Sequence, residues 1–199
     1  MSSREAILAA LRRSATAPIP LSHAGPALGV RFEDPLGQFA EMVAAVGGAC
    51  IRVRDLSEAD AEAKKLAAQR GAQQVASAVP GVGAPNVDLG TVADPHQLRA
   101  LDMAIVPGEL AVAENGAVWI SGRSLPQRAI PFICQHLVLV VDARSIVHDM
   151  HQAYARLAPH PREWGLFLAG PSKTADIEQA LVIGAHGARS CTVLLVGAA

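Results

Sequence analysis

The chain has 199 residues, enough for one domain with a sizeable core. Its formal charge is −1 at pH 7, and without a basic stripe beyond Arg12-Arg13 the composition argues against nucleic-acid binding. Cys50, Cys134 and Cys191 lie far apart without a CxxC pair, which offers neither a disulfide framework nor a thiolate cage for a metal or an iron–sulfur cluster. We therefore expect no cofactor and no metal site in this chain.

The cysteines and the N-terminal residues also indicate the cellular compartment of the protein. Scattered, unpaired cysteines fit a reducing cytoplasm. The N-terminal stretch MSSREAILAALRRSA carries charges inside its apolar pattern and lacks the order of a secretory signal. No apolar run approaches the roughly 18 residues needed to cross a bilayer. The sequence therefore predicts a cytoplasmic protein without a membrane span.

Residues 1–35 predict a helix followed by an extended arm. Ser3 can cap a helix whose apolar positions, Ile7 and Leu11 among them, fall on one face. Residues 14–35 contain four prolines, which exclude regular structure over that range. Such an arm can wrap its own domain or a neighbouring chain, so we include a homo-oligomer among the expectations. Residues 36–199 are expected to form a single α/β domain.

Strands and helices then alternate along the chain. Helical patterns are predicted at 36–46, at 56–66 with an end near Gly71, at 146–157 and at 174–184. Short apolar strands are predicted at 50–53, 75–79, 103–106, 137–141, 166–169 and 192–196. Repeated alternation of this kind favours a mostly parallel sheet that is covered on both sides.

The stretch FLAGPSKTADIEQALVIGAHG, residues 167–187, joins a predicted strand to a predicted helix. In a doubly wound sheet, ligands bind where the carboxyl ends of strands meet the amino ends of helices. Ser172 or Thr174 can cap the helix, whose N–H groups favour an anion, and Lys173 adds a positive charge. This interpretation predicts a pocket for a carboxylate or a phosphate.

The same stretch is also typical of an ordinary capped helix between two strands. Asp176 and Glu178 would then be the usual acidic residues of a first helical turn. The spacing of Gly170, Lys173 and Thr174 does not match a P-loop. His186, which stands between two glycines near the last strand, is more often a hydrogen-bonded surface group than a site residue. Both interpretations stay open at the level of the residues.

A second stretch, AVAENGAVWIS at residues 111–121, predicts a β-hairpin. Asn115-Gly116 is a strong hairpin signal because both residue types accept the positive φ of a type I′ turn. Glu114 would then be an exposed residue of the hairpin tip. In the alternative interpretation, Glu114 reaches a cleft and acts as a nucleophile or base.

Three further groups of residues are weaker candidates for a functional site. His148 and His151 have the i, i+3 spacing of two metal ligands on a helix, but the sequence fixes no third ligand. Cys134 is typical of a small core residue. Arg123 and Arg128 flank the loop SGRSLPQR and could meet an anion or face solvent.

Four segments together resemble the LUD-domain family, the lactate utilization protein C or YkgG-like group. They are AENGAVWIS, SGRSLPQRAIPF, LVLVVDARSIV and FLAGPSKTADIEQALVIGAHG, and the match covers roughly residues 95–197. The last segment carries the family's signature, whose matching residues include Gly170, Pro171, Ser172, Thr174, Asp176, Glu178, Gly184, His186 and Gly187. The resemblance implies a Rossmann-like three-layer α/β/α sandwich of the ribose-5-phosphate isomerase/CoA-transferase type. It also implies a role in oxidising L-lactate to pyruvate beside iron–sulfur partner proteins.

Two positions depart from the family pattern. Ala188 stands where the family usually has proline, and Asn115 where it usually has threonine or serine. Glu-Asn-Gly is similar to the catalytic motif of class I CoA-transferases, in which the glutamate attacks a thioester. The glycines that usually follow that motif are replaced here by Ala117-Val118-Trp119, which argues against this chemistry.

Three functional hypotheses follow. In the first, the chain is a non-redox subunit of a lactate-oxidising system that binds an anionic small molecule at residues 170–174. The second is a freestanding enzyme of the CoA-transferase-like fold, and the third is a structural adaptor. The candidate catalytic residues are Glu114, Asp176, Glu178 and His186. The candidate ligand-binding residues are Asn115, Gly116, Gly170, Pro171, Ser172, Lys173, Thr174, Gly184 and Gly187.

Overall fold

A computed structural model describes residues 2–14, 29–157, 164–174 and 182–198. The helices in these ranges are α1 (Ser3–Ser14), α2 (Pro35–Ala45), α3 (Leu56–Arg70), α4 (Ile130–Ile133) and α5 (Met150–Leu157). The first six strands are β1 (Ala49–Val53), β2 (Val75–Ser77), β3 (Met103–Gly108), β4 (Leu110–Val112), β5 (Ala117–Ser121) and β6 (His136–Asp142). The remaining strands are β7 (Ile146–Val147), β8 (Gly165–Leu168), β9 (Lys173–Thr174), β10 (Val182–Ile183) and β11 (Ser190–Val196).

The central sheet has five strands in the order β1-β11-β6-β3-β2, and all of its pairs are parallel. Strands β3, β6 and β11 are buried on both faces, which is why they are nearly continuous apolar runs in the sequence. In β6, Leu137 and Leu139 face one side while Val138 and Val140 face the other. The predicted α/β fold with a mostly parallel central sheet is confirmed.

Helix α3 packs on one face of this sheet. It begins after Asp55, whose carboxylate accepts a hydrogen bond from the Glu58 N–H, and it ends at Gly71 in the left-handed conformation. Ala59 and Ala63 are completely buried against the strands. These small side chains let the helix approach the sheet closely, so this part of the fold follows from local sequence signals.

The other face of the central sheet packs against α2 and a second sheet, with strand order β7-β4-β5-β8. Phe39 of α2 and Val118 and Ile120 of β5 are completely buried there. Helix α5 covers the outer side of the second sheet through Ala153. Among the described residues this layer is therefore part β-sheet, and the predicted β-hairpin, β4 and β5, belongs to it.

Two predicted elements belong elsewhere than expected. The strand expected at 166–169 is β8, which pairs antiparallel with β5 in the second sheet and not with the parallel sheet. The helix expected from residue 146 begins at Met150, because Ile146 and Val147 form β7 beside β4. The apolar residues spaced as in a helix from Ile146 onwards therefore belong to two elements, first β7 and then α5.

The ends of the helix predicted at 174–184 are not helical. Thr174 pairs with Val182 and Lys173 with Ile183 in a two-stranded antiparallel ladder. Residues 175–181, and with them Asp176 and Glu178, lie outside the described residues. Most of the predicted arm, 15–28, also lies outside them, so the division at residue 35 stays a prediction.

Helix α1 is present as predicted, although its cap is Ser2 and not Ser3. The Ser2 hydroxyl accepts a hydrogen bond from the Glu5 N–H, and the Glu5 carboxylate accepts one from the Ser2 N–H. No helix in the described ranges is both long and apolar enough to cross a bilayer.

Candidate functional site

The predicted hairpin is formed by β4 and β5, with Val112 opposite Ala117. Its loop has four residues, and the Asn115 side-chain oxygen accepts a hydrogen bond from the Ala117 N–H at 3.0 Å. Only Gly116 in this loop has a positive φ, of 69°. The hairpin is confirmed, but the type I′ turn is wrong, because that turn needs two successive residues with positive φ.

Glu114 lies at the hairpin tip and is exposed. Its carboxylate accepts a hydrogen bond from the Met150 N–H at 3.1 Å, and its own N–H donates to the His148 carbonyl at 3.0 Å. Met150 is the first residue of α5, so this carboxylate satisfies one of the N–H groups that a helix leaves open at its start. The contact gives Glu114 a capping role; its predicted catalytic role stays a prediction.

The hairpin tip packs closely on α2. A Cβ atom on Gly116 would lie 2.8 Å from the Val43 nitrogen and 2.9 Å from the Met42 carbonyl carbon. Both are backbone atoms, which a small side-chain movement cannot displace. Glycine is therefore required at residue 116 both for its conformation and for this approach.

Residues 170–173 follow β8 and leave the second sheet beside the hairpin tip. The reason is the register: Leu168, the last residue of β8, pairs with Val118 near the start of β5. Gly170 has a φ of 72°, and a Cβ atom there would lie 2.5 Å from the Val46 carbonyl oxygen. Both candidate segments thus rest on the carboxyl-terminal half of α2. The fold brings together two stretches that are more than fifty residues apart in the sequence.

Lys173 is exposed, and its ammonium group donates a hydrogen bond to the Val46 carbonyl oxygen. Val46 caps the carboxyl end of α2, where a positive charge is favourable. An ammonium group has three donors, so this contact still allows further hydrogen bonds. Lys173 therefore has a structural contact in addition to the anion binding that the sequence predicts.

Ser172 connects the two halves of the signature stretch. Its N–H donates to the Ala188 carbonyl at 2.9 Å, and its carbonyl accepts from the Gly184 N–H at 2.9 Å. A Cβ atom on Gly187 would lie 3.0 Å from the Ser172 Cβ. Glycine at 187 thus leaves the space beside the Ser172 side chain open.

A cleft of about 320 Å³ forms where these segments meet, and we call it the loop cleft. It is lined by residues 166–173, by 186–188 and by the side chains of Pro131, Phe132 and Leu137. Leu137 is the second residue of β6, and Ala188 lies just before β11. The loop cleft is therefore at the amino ends of the parallel strands, not at the carboxyl ends where the sequence argument placed it.

The lining of the loop cleft suits a small anion with an apolar part. Lys173 and His186 are exposed along it and Phe132 is 47 % exposed, while the Ser172 hydroxyl supplies a donor and acceptor. His136 lies at the same end of the sheet, where its ring bonds the Ser190 hydroxyl at 2.8 Å. Burial, followed by the charge of Arg70, lowers the pKa of His136 and so favours its neutral form.

Three of the remaining sequence candidates have structural roles. The His148 ring accepts a hydrogen bond from the Phe32 N–H at 3.1 Å and stacks on the Phe32 ring. Across the described ranges, no three His, Cys, Asp or Glu side chains are grouped as metal ligands. Cys134 is buried, which raises its pKa to about 12, and Arg128 lies over the Trp164 ring.

Sequence reasoning missed a larger cleft of about 650 Å³. We call it the strand-end cleft, because it lies beyond Ser77, the last residue of β2, between residues 85–90 and 123–126. The loop that follows β2, residues 78–102, is long and rich in glycine and proline. Its length after a parallel strand was the available signal, since such loops frequently line ligand sites.

A family model described as the LUD domain matches residues 94–196. Lactate utilization protein C of Geobacillus kaustophilus is 30% identical over 123 residues, which are 59% of this chain and 48% of that protein. The protein of that name in Geobacillus thermodenitrificans is 31% identical over 101 residues, 48% of this chain and 42% of that protein. The chain thus spans about half the length of the curated relatives it matches.

Among solved structures, the fold is similar to the crystal structure of a DUF162-family protein from Deinococcus radiodurans. The TM-score is 0.61 and the identity 22%, over 89% of this chain and 100% of that one. At this level of identity, the likeness concerns the fold alone.

Proposed function

Because the chain belongs to the LUD-domain family, we propose that it supports the oxidation of L-lactate to pyruvate as a subunit beside iron–sulfur partner proteins. That oxidation removes two electrons and two protons, one proton from the carbon that bears the hydroxyl group and one from the hydroxyl group itself. In this proposal the partners accept the electrons, and this chain binds and positions the anionic substrate or product.

One observation carries the proposal. The two halves of the signature stretch, 170–173 and 184–188, are joined through both backbone groups of Ser172 and line a single cleft. Gly170 lets the chain approach the Val46 carbonyl oxygen, and Gly187 leaves room beside the Ser172 side chain, which lines the cleft. The loop geometry is thus maintained around an open space.

The ligand proposed for the loop cleft is a small carboxylate. Lys173 provides the charge and Ser172 a hydroxyl, and apolar side chains such as Phe132 and Leu166 can contact a methyl group. Lactate and pyruvate both combine a carboxylate with a methyl group. Their size leaves part of a 320 Å³ cleft free for water or for a partner's side chain.

The alternative hypotheses fit the geometry less well. A freestanding enzyme that uses Glu114 requires this carboxylate inside a cleft, but it is exposed and bonded to Met150. An adaptor hypothesis predicts no cleft at residues 170–174, whereas a cleft is present there. The subunit proposal requires neither a buried Glu114 nor a flat surface.

Thermal unfolding with and without L-lactate, pyruvate, acetyl-CoA or inorganic phosphate tests the ligand. Binding to the native state at about 100 times Kd adds roughly 2.7 kcal/mol, which is readily seen as a higher Tm. We expect shifts with L-lactate or pyruvate that become smaller in Lys173→Gln, a change that removes the charge but keeps a donor for Val46. Each variant is compared with its own unliganded state.

Lys64→Gln is the matched control, because Lys64 lies on α3 and pairs with Asp60 away from the loop cleft. Equal shifts in Lys173→Gln and Lys64→Gln would contradict anion binding at the loop cleft. A shift with acetyl-CoA alone would favour the freestanding enzyme.

Co-purification tests the partners. The tagged chain is isolated from its source organism grown on L-lactate and again after growth on another carbon source, and iron and labile sulfide are measured in both eluates. We expect iron–sulfur proteins in the eluate from lactate-grown cells. A chain recovered without iron from both cultures would contradict the subunit proposal.

A further inference from the structure

The strand-end cleft has the position and size of a small-molecule site, and it plays no part in the function proposed above. In open parallel sheets, ligands bind outside the carboxyl ends of the strands. Ser77 ends β2, and the cleft opens directly beyond it. Its volume of about 650 Å³ lies in the range of sites for metabolites and cofactors, roughly 300–1,000 Å³.

Hydrogen bonds fix the first wall of the cleft, residues 85–90, to the sheet. The Asn86 side chain accepts from the Val75 N–H at 2.8 Å and donates to the Gln73 carbonyl at 2.6 Å. Asp88 accepts from the Gly90 N–H at 2.9 Å and so starts a short 3₁₀ helix. This wall is pre-formed and does not require a ligand to order it.

The second wall, residues 123–126, is fixed in the same way. The Arg123 N–H donates to the Ser121 hydroxyl at 3.2 Å, and the Ser124 hydroxyl donates to the Ser121 carbonyl at 2.8 Å. The Gln127 amide donates to the Val92 carbonyl at 2.9 Å and thus ties this loop to the loop that continues from the first wall. Buried Leu125 anchors the middle of the second wall.

The chemistry of the lining is divided between charge and apolar surface. Arg123 supplies a guanidinium, whose fork of N–H groups matches a phosphate. Across the cleft, Asp88 supplies a carboxylate that can accept hydrogen bonds from hydroxyl groups. Pro85 and Pro126 are exposed and add apolar surface, which a planar ring can contact.

We propose that the strand-end cleft binds a nucleoside phosphate. Arg123 binds the phosphate, Asp88 accepts hydrogen bonds from the ribose hydroxyls, and the base rests on the apolar part of the lining. An inorganic phosphate or a small carboxylate would fill only a fraction of the volume, which is why a molecule of nucleotide size is assigned.

This site is separate from the loop cleft. The strand-end cleft adjoins the carboxyl end of β2, while the loop cleft adjoins the amino ends of β6 and β11. Because the strands are parallel, the two clefts lie at opposite ends of the strands. Failure of one site to bind its ligand therefore says nothing about the other.

Calorimetric titration of the full chain with AMP, adenosine, ribose 5-phosphate and inorganic phosphate tests the proposal. We expect AMP to bind more tightly than each of the other three. Arg123→Gln should weaken AMP binding at least about tenfold, as expected for the loss of a charge-assisted contact. Asp88→Asn keeps the acceptor for the Gly90 N–H, so the fold is retained while AMP binding falls severalfold.

Two control variants match these changes. Arg128 belongs to the same loop but lies over the Trp164 ring, and Asp94 starts a 3₁₀ helix as Asp88 does but faces His96. Arg128→Gln and Asp94→Asn should both bind AMP as the unchanged chain does. Absence of AMP binding, equal loss in Arg123→Gln and Arg128→Gln, or binding of ribose 5-phosphate as tight as AMP would each overturn the proposal.

Discussion

The Glu114 carboxylate accepts a hydrogen bond from the Met150 N–H across 36 residues of sequence, at 3.1 Å. It ties the tip of the β4–β5 hairpin to the first turn of α5, and the Glu114 N–H reinforces it by donating to the His148 carbonyl. A glutamate that resembles a nucleophile in the sequence therefore serves as a helix cap in the folded chain.

Replacing Glu114 distinguishes a role as a helix cap from a role as a catalytic nucleophile. Glu114→Gln keeps an oxygen acceptor for the Met150 N–H, so we expect it to lower the free energy of unfolding by less than about 1 kcal/mol, the usual size of a charge–dipole effect. Glu114→Ala should lower it by about 0.5–2 kcal/mol through loss of the cap. Urea unfolding measures both values.

Glu41→Ala, an exposed change on α2, is the control and should stay within about 0.5 kcal/mol of the unchanged chain. Growth on L-lactate with Glu114→Gln should be normal. Loss of growth with a fully folded Glu114→Gln protein would return Glu114 to the catalytic role predicted from the sequence.

Close packing of the hairpin tip on α2 can be measured with two alanine substitutions. Gly116 and Gly71 both have positive φ, of 69° and 63°, so alanine is strained by a similar amount, about 1 kcal/mol, at either residue. Only at Gly116 would the new Cβ meet backbone atoms, while nothing lies within 4 Å at Gly71. We expect Gly116→Ala to cost about 1–3 kcal/mol more than Gly71→Ala in urea unfolding. Equal costs would show that the tip does not rest on α2.

The buried thiols predict a loss of stability at alkaline pH. Burial raises the pKa of Cys134 to about 12, and burial together with the charge of Cys134 raises that of Cys191 to about 12, from an ordinary value of 9.0. The folded chain therefore holds these protons more tightly than the unfolded chain does. Their contribution to stability is complete below pH 9 and is lost as the pH rises from 9 towards 12.

The free energy of unfolding should accordingly fall above pH 9, by up to about 1.4 kcal/mol per pH unit for each thiol. Urea unfolding at a series of pH values measures the slope. A chain with both Cys134→Ala and Cys191→Ala is less stable because of the small cavities, but its alkaline slope should be shallower. An unchanged slope in that double variant would rule out the thiols as the cause.

Capping residues, turn residues and apolar runs predicted the elements that begin or end at such residues. Asp55 and Gly71 bound α3, and continuous apolar runs mark the strands of the parallel sheet. Asn115-Gly116 predicted the hairpin, although the turn type was wrong because only Gly116 has positive φ. In each of these cases, the residues that determine the helix, strand or turn lie within it or next to it in the sequence.

Relations between distant segments were not predictable in this way. Leu166 to Leu168 are as apolar as a strand of the parallel sheet, and only pairing with β5 places them in the second sheet. The site was therefore expected at the carboxyl ends of the parallel strands, whereas the loop cleft lies at their amino ends. The contact between Lys173 and Val46 likewise has no local signal. Periodicity identifies an element, but its partner in the sheet depends on long-range packing.

We propose that this chain is needed to oxidise lactate, and growth of the source organism after deletion of the gene tests this role. We predict that the deletion strain fails to grow on L-lactate as the sole carbon source, grows normally on pyruvate, and recovers on lactate when the unchanged gene is returned. Lys64→Gln should restore growth, and Lys173→Gln should restore it poorly. Normal growth of the deletion strain on L-lactate would show that this chain is not needed to oxidise lactate.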